Sequence, residues 1–196
     1  MISLSLIVLY AGTIFRRLDY ANKVFSVTFF TIYLIQVTMF VLSKLSIGNL
    51  LLFHVYFAVQ LIGYGLFYWK ILPVISAKKW FLVTLFICIV LIVYEYSVKW
   101  ENLSHVFGGY SYFIMNLIFV FTSIYYLVIE FLRDMEVEHK YLNYGMILYA
   151  GGSSIIFLLG DKLSYLDWKP LLLVNILLFI IFQGFYLMQL WKVRNS

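Results

Sequence analysis

The segment Leu171 to Trp191, LLLVNILLFIIFQGFYLMQLW, decides the fold class, because it runs for 21 residues without a charged side chain. A helix rises about 1.5 Å per residue, so about 20 apolar residues cross the roughly 30 Å of hydrocarbon in a bilayer. This segment therefore predicts a transmembrane helix.

Similar apolar segments, separated by short polar joints, fill the rest of the 196 residues. The chain is 64% hydrophobic and 12% charged, whereas soluble domains carry about 25% charged residues. We predict an all-α integral membrane protein, a bundle of seven transmembrane helices in a single domain over residues 1–196. The predicted spans are Ile2 to Phe15, Val24 to Ser43, Leu50 to Trp69, Trp80 to Tyr96, Tyr112 to Leu132, Leu142 to Gly160 and Leu171 to Trp191.

The first predicted span is short and is followed by the basic pair Arg16 and Arg17. A secretory signal peptide has the opposite order, a basic start and then a small-residue cleavage site. We expect a short helix that the protein retains. If this segment lies in the interface instead, the number of spans falls to six.

The Lys and Arg residues predict the orientation, because cytoplasmic joints carry an excess of them. One side of the predicted topology holds ten: Arg16, Arg17, Lys23, Lys70, Lys78, Lys79, Arg133, Lys140, Lys192 and Arg194. The other side holds four: Lys44, Lys99, Lys162 and Lys169. We therefore expect the C-terminus in the cytoplasm, the N-terminus outside, and a bacterial inner-membrane location.

Several classes of function are disfavoured by composition. The net charge of +5 comes from basic residues at helix ends, which favours anionic headgroups over nucleic acid as their partner. Cys88 is the single cysteine, and the three histidines lie in separate segments, so no zinc spacing is present. We expect no metal, no cofactor and no catalytic residues, although an intramembrane enzyme stays an alternative.

Uncharged polar side chains inside the spans define the candidate ligand site. Asn49, Tyr56 and Gln60 share one face of the third span, while His54 lies about 120° around that helix from Gln60. Each of these polar residues alone could simply join helices by hydrogen bonds. Together they predict a lining for a ligand or solute, formed by Asn49, His54, Tyr56, Gln60, Asn116, Asn175 and Gln183.

The joint after the fifth span mixes both signs of charge more densely than any other joint. Its charged residues predict a docking point for a membrane or cytoplasmic signalling partner, and a solvated helix extension is the alternative. The candidate docking residues are Arg133, Asp134, Glu136, Glu138, His139 and Lys140.

The segment Asn49 to Gln60, NLLLFHVYFAVQ, resembles the third helix of an uncharacterised family of short seven-helix integral membrane proteins from Bacteroidetes. That family has Asn, then His-x-Tyr, then Glu four residues after the Tyr. Gly145, Tyr149 and Gly152 are similar to its Gly, Tyr, Gly span. Gln60 stands where the family has Glu, and the first span is truncated. The resemblance implies a seven-helix fold and, from genes that neighbour sensor kinases, a link to signalling.

These observations favour a non-catalytic sensory or partner-binding protein of the membrane. A small transporter or channel for an uncharged or weakly polar solute is the alternative, because amide side chains dominate the predicted interior.

Overall fold

The computed structural model describes residues 2–47, 50–99, 110–133, 138–160 and 169–195, and these contain seven α-helices and no strand. Asn49, Asp134 and Glu136, which belong to the predicted sites, lie outside the described residues. The helices are α1 Ile2–Ile14, α2 Tyr20–Lys44, α3 Leu50–Ile71, α4 Ile75–Lys99, α5 Tyr110–Leu132, α6 Lys140–Gly160 and α7 Lys169–Asn195. A short 3-10 helix, Phe15–Arg17, joins α1 to α2.

The helices follow the predicted spans but extend past them at several ends. α4 begins at Ile75, five residues before Trp80, and includes Lys78 and Lys79. Pro73 precedes this start, and proline disfavours helix in the residue before it. α7 continues past Trp191 to Asn195. Charged residues mark where hydrocarbon ends, whereas helical hydrogen bonds continue into the headgroup region.

Within the described residues, five helices are long and apolar enough to cross a membrane, which is consistent with an integral membrane protein. These helical segments are Tyr20–Lys44, Leu51–Ile71, Ile75–Val98, Tyr110–Leu132 and Leu173–Asn195. α1 has 13 residues, so it is about 20 Å long. A bundle of seven spans and the orientation of the termini stay predictions.

The chain divides into two compact units, Met1–Phe107 and Gly108–Ser196. We name them the N-terminal unit and the C-terminal unit. In the first, α2 packs against α3, with α1 against α2 and α4 against α3. In the second, α6 packs against both α5 and α7. The single domain predicted from the sequence stays a prediction.

Aromatic rings form the centre of the N-terminal unit. The ring of Phe25 on α2 stacks on Phe29 and on Tyr64 of α3, at centroid distances of 5.1 and 5.4 Å. Phe67 meets Phe25 edge-on at 5.2 Å. A Cβ on Gly63 would collide with the side chain of Thr28, so the glycine lets α2 and α3 approach closely. Small residues are the usual means of close helix contact in lipid.

The C-terminal unit uses the same means at the contact of α6 with α7. The rings of Tyr149 and Phe182 are nearly parallel, with centroids 5.3 Å apart and an interplanar angle of 3°. A Cβ on Gly145 would lie 2.6 Å from Cδ2 of Phe182 and 2.9 Å from Cβ of Phe185. Gly152 is similarly close to Leu178. Glycines on α6 therefore set its distance from α7.

We predict that Gly145→Ala destabilises the protein by about 1–3 kcal/mol, the usual cost of overpacking. The measurement is thermal unfolding of the purified protein in detergent. Gly184→Ala on α7 is the matched control, because nothing lies within 4 Å of a Cβ built there. This control should leave stability unchanged or raise it, since alanine favours helix over glycine. Equal losses in both variants would show that glycine spacing does not set the contact of α6 with α7.

Candidate functional site: buried polar side chains of the two units

Two residues of the polar face predicted for the third span, which is α3, bond to each other. Gln60 is 1% exposed, and its Nε2 donates to the hydroxyl oxygen of Tyr56, one helical turn away, at 2.9 Å. Tyr56 is also buried, and its ring meets Phe57 edge-on. The polar face therefore contains a buried amide and phenol that are joined within the same helix.

His54 contacts a residue of another helix. This agrees with its position about 120° around α3 from Gln60. Its Nδ1 lies 2.7 Å from the hydroxyl of Tyr96 on α4, and the two rings meet at 89° with centroids 5.1 Å apart. This contact joins α3 to α4 through a polar pair. Tyr96 was not among the predicted site residues, because 42 positions separate it from His54 and no periodicity connects them.

In the C-terminal unit, Asn175 of α7 pairs with α6. The hydroxyl of Ser153, which is fully buried, donates to Oδ1 of Asn175 at 2.7 Å. Asn116 of α5 is 3% exposed, and its Nδ2 has no hydrogen-bond partner among the described residues.

Gln183 lies farther along α7, between Asn175 and the end of the helix at Asn195. It is 4% exposed, and its Oε1 has no hydrogen-bond partner within the described part of the chain. The adjacent Phe182 stacks on Tyr149. An unpaired buried polar group costs about 1–3 kcal/mol. Asn22 and Gln189 also keep an oxygen without a partner among the described residues, but their amide nitrogens are bonded. Asn116 and Gln183 are therefore the members of the predicted lining best suited to receive a polar ligand.

The predicted docking residues are divided between surface and interior. Arg133 and Glu138 are exposed, whereas His139 is 4% exposed. Nε2 of His139 lies 3.9 Å from a carboxylate oxygen of Glu138, and its ring is 6.4 Å from that of Tyr126. Lys140 places Nζ 5.2 Å from the ring centroid of Tyr141. Of these described residues, Arg133 and Glu138 offer the most accessible charges.

Two buried amides hold the backbone of this joint. Nδ2 of Asn143 on α6 donates to the carbonyl of His139 at 2.9 Å. Nε2 of Gln189 on α7 donates to the carbonyl of Glu138 at 3.0 Å. Both amides are fully buried. The joint that precedes α6 is therefore tied to the interior of the unit by hydrogen bonds.

Gln189 was not among the predicted site residues. Its position two residues before Trp191 is typical of the headgroup boundary, where a polar residue needs no special explanation. Gln189 lies six positions after Gln183. This second amide near the end of α7 was the one feature of the sequence that could have marked Gln189 as a site residue. Its acceptor is 51 residues away, so only the fold identifies the contact.

Comparisons with known proteins add no relative. No family model matches the chain, and no match was found among curated proteins or solved structures. The resemblance to a seven-helix family from Bacteroidetes therefore stays a prediction.

We predict that Tyr96→Phe lowers the free energy of unfolding by about 0.6 kcal/mol, and by no more than roughly 1.7 kcal/mol, the range of interhelical hydrogen bonds in membranes. The substitution removes the hydroxyl that lies against His54 and keeps the ring. Tyr94→Phe is the control, since Tyr94 is 67% exposed two residues away on the same helix. Unfolding in detergent measures both. A loss for Tyr94→Phe as large as that for Tyr96→Phe contradicts the role given to the His54 contact.

Proposed function

We propose that the protein is a non-catalytic, multi-pass sensor of the inner membrane. In this proposal the C-terminal unit binds a small uncharged molecule, and the joint before α6 engages a membrane or cytoplasmic signalling partner. The observation that carries it is the hydrogen bond from Gln189 to the carbonyl of Glu138. A shift of α7 along or around its axis changes this bond directly, so α7 and the joint are mechanically linked.

The chemistry of the interior supports an uncharged ligand. Among the buried side chains of the described residues, only one belongs to an Asp, Glu, Lys or Arg residue, and that residue is Glu130. An ionic ligand in the interior would need a group of opposite charge, or many polar groups, around it, because burying a charge at membrane depth costs free energy. Asn116 Nδ2 is a donor and Gln183 Oε1 an acceptor, both lacking partners among the described residues. These groups suit carbonyl, amide or hydroxyl groups on a ligand.

Transport of such a solute is the second candidate, and the buried face of α5 favours it. This face carries polar side chains from Tyr112 through Asn116 and Ser123 to Glu130. The 18 positions from Tyr112 to Glu130 correspond to about 27 Å of helix, close to the thickness of the hydrocarbon. A polar line of this length supports passage of a solute as well as its recognition.

The proposal is tested with a fluorophore on the joint. Cys88→Ala removes the single cysteine, and Glu138→Cys then provides a labelling site while the backbone carbonyl that accepts from Gln189 is kept. The labelled protein is reconstituted in vesicles and titrated with acetamide, which has both an amide donor and a carbonyl acceptor. We expect a saturable change of fluorescence.

Two variants separate binding from transmission. Asn116→Leu should remove acetamide binding, measured independently by saturation-transfer NMR, together with the fluorescence change. Gln189→Met should keep binding and lose most of the fluorescence change, because the bond to the joint is broken. Met188→Leu is the matched control on α7, since Met188 is 50% exposed, and it should keep both signals.

The outcomes distinguish the two candidate functions. Vesicle swelling in an acetamide gradient, with no change of fluorescence, favours transport and contradicts the sensor. Absence of acetamide binding contradicts the proposed ligand chemistry. A fluorescence change that survives Gln189→Met shows that the hydrogen bond to the joint does not transmit the signal.

A further inference from the structure

One end of the N-terminal unit collects basic and aromatic side chains from three helices. Nζ of Lys70, near the end of α3, lies 5.5 Å from the ring centroid of Tyr20, the first residue of α2. Nζ of Lys78, in the first turn of α4, lies 5.5 Å from the ring centroid of Trp69. Since Trp69 and Lys70 are consecutive, these contacts connect the ends of α2, α3 and α4. We name Tyr20, Trp69, Lys70 and Lys78 the aromatic–lysine patch.

The surroundings of this patch are strongly positive. The segments from Phe15 to Lys23 and from Trp69 to Trp80 contain six basic residues and a single acidic residue, Asp19. Asp19 accepts hydrogen bonds from the backbone N and from Nδ2 of Asn22, at 3.0 and 2.6 Å, and so caps α2. Within the described residues, neither Lys70 nor Lys78 has an ion pair with a carboxylate.

We propose that the aromatic–lysine patch binds the phosphate of an anionic phospholipid. An ammonium group held against a ring face keeps N–H donors for a phosphate oxygen. Tyr20 and Trp69 are 60% and 42% exposed, and such amphipathic rings favour the level of the headgroups. Basic pockets between helix ends are a recognised way to bind anionic headgroups.

An apolar track favours a lipid over a free phosphate ion. Ile62 and Leu66 on α3 are 63% and 48% exposed, and they precede Trp69 by seven and three residues. This spacing places all three on one face of the helix. The track runs from the patch toward the middle of α3, in the direction that the acyl chains of a lipid extend from a phosphate bound between the lysines.

The proposed lipid site is independent of the sensor function. It lies on the N-terminal unit, whereas the ligand of the proposed sensor lies in the interior of the C-terminal unit. The lipid site gives the N-terminal unit a preferred lipid at one membrane surface. In the predicted orientation that surface is cytoplasmic, where anionic lipids attract basic segments.

The test is a titration of the full-length protein, in neutral detergent, with dioctanoyl phosphatidylglycerol. Native mass spectrometry measures the bound fraction. Each lysine near an anionic surface contributes about a factor of five in affinity. We therefore expect Lys70→Gln with Lys78→Gln to weaken binding about thirty-fold, and Lys70→Arg with Lys78→Arg to restore most of it.

Lys44→Gln is the matched control. Nζ of Lys44 lies 5.6 Å from the ring centroid of Phe40, so it makes the same kind of contact at the opposite end of α2, and its removal should leave binding within about two-fold. Thermal unfolding without lipid confirms that each variant is folded. Dioctanoyl phosphatidylcholine and inorganic phosphate are titrated in parallel.

Each alternative result overturns the proposal in a distinct way. Equal affinity of the wild-type protein and the double glutamine variant shows that the patch is not the site. An equal loss for Lys44→Gln shows a general effect of charge. Binding of phosphatidylcholine as tight as that of phosphatidylglycerol removes the preference for anionic lipid, and inorganic phosphate that competes at the same concentration identifies an anion site without lipid specificity.

Discussion

A polar group in hydrocarbon cannot turn to water for a hydrogen bond, and this constraint accounts for most of the polar contacts in the structure. Several serine and threonine hydroxyls meet it within their own helix, whereas Ser153 bonds to Asn175 on the neighbouring α7. Ser26 donates to the carbonyl of Asn22, Thr28 to that of Val24 and Thr122 to that of Ile118, each four residues back. These three hydroxyls therefore need no partner on a neighbouring helix.

Amide side chains meet the same constraint differently, because each carries two donors and an acceptor. Gln60 finds Tyr56 one turn away, whereas Asn175 and Gln189 find partners on other elements of the C-terminal unit. The amides thus specify which elements lie together, while the glycines and aromatic rings determine how closely they pack. Asn116 and Gln183 each keep an atom without a partner in the described residues, as do Asn22 and Gln189, which nevertheless bond through their amide nitrogens.

The sequence predicted the helices well, because a helix that crosses lipid requires a long apolar segment and charges interrupt it. Several helices extend a few residues past the predicted spans, as at Ile75, because charges indicate the membrane boundary and not the end of helical hydrogen bonding. The sequence did not predict the contacts that join distant segments. Tyr96 and Gln189 could not be assigned partners, since those partners lie 42 and 51 positions away.

For the docking residues too, the sequence indicated the charges but not the contacts that the fold makes. The joint before α6 was selected for its charge, and its charges suggest a surface in water. The structure adds that His139 is buried and that the carbonyls of Glu138 and His139 accept from buried amides. The exposed side chain of Glu138 therefore extends from a backbone that the interior of the unit positions.

The distribution of paired and unpaired amides along α7 gives the sensor proposal its physical basis. Asn175 and Gln189 are bonded to other elements of the unit. Gln183 between them has an oxygen without a partner among the described residues, and Gln189 is bonded through its nitrogen alone. The 14 positions from Asn175 to Gln189 span about 21 Å. In the proposed sensor, a ligand that bonds to Gln183 acts between these two hydrogen-bonded positions, where Phe182 also stacks on Tyr149. Movement of α7 there must be accommodated at one of its bonded ends, and the end at Gln189 is the one attached to the joint.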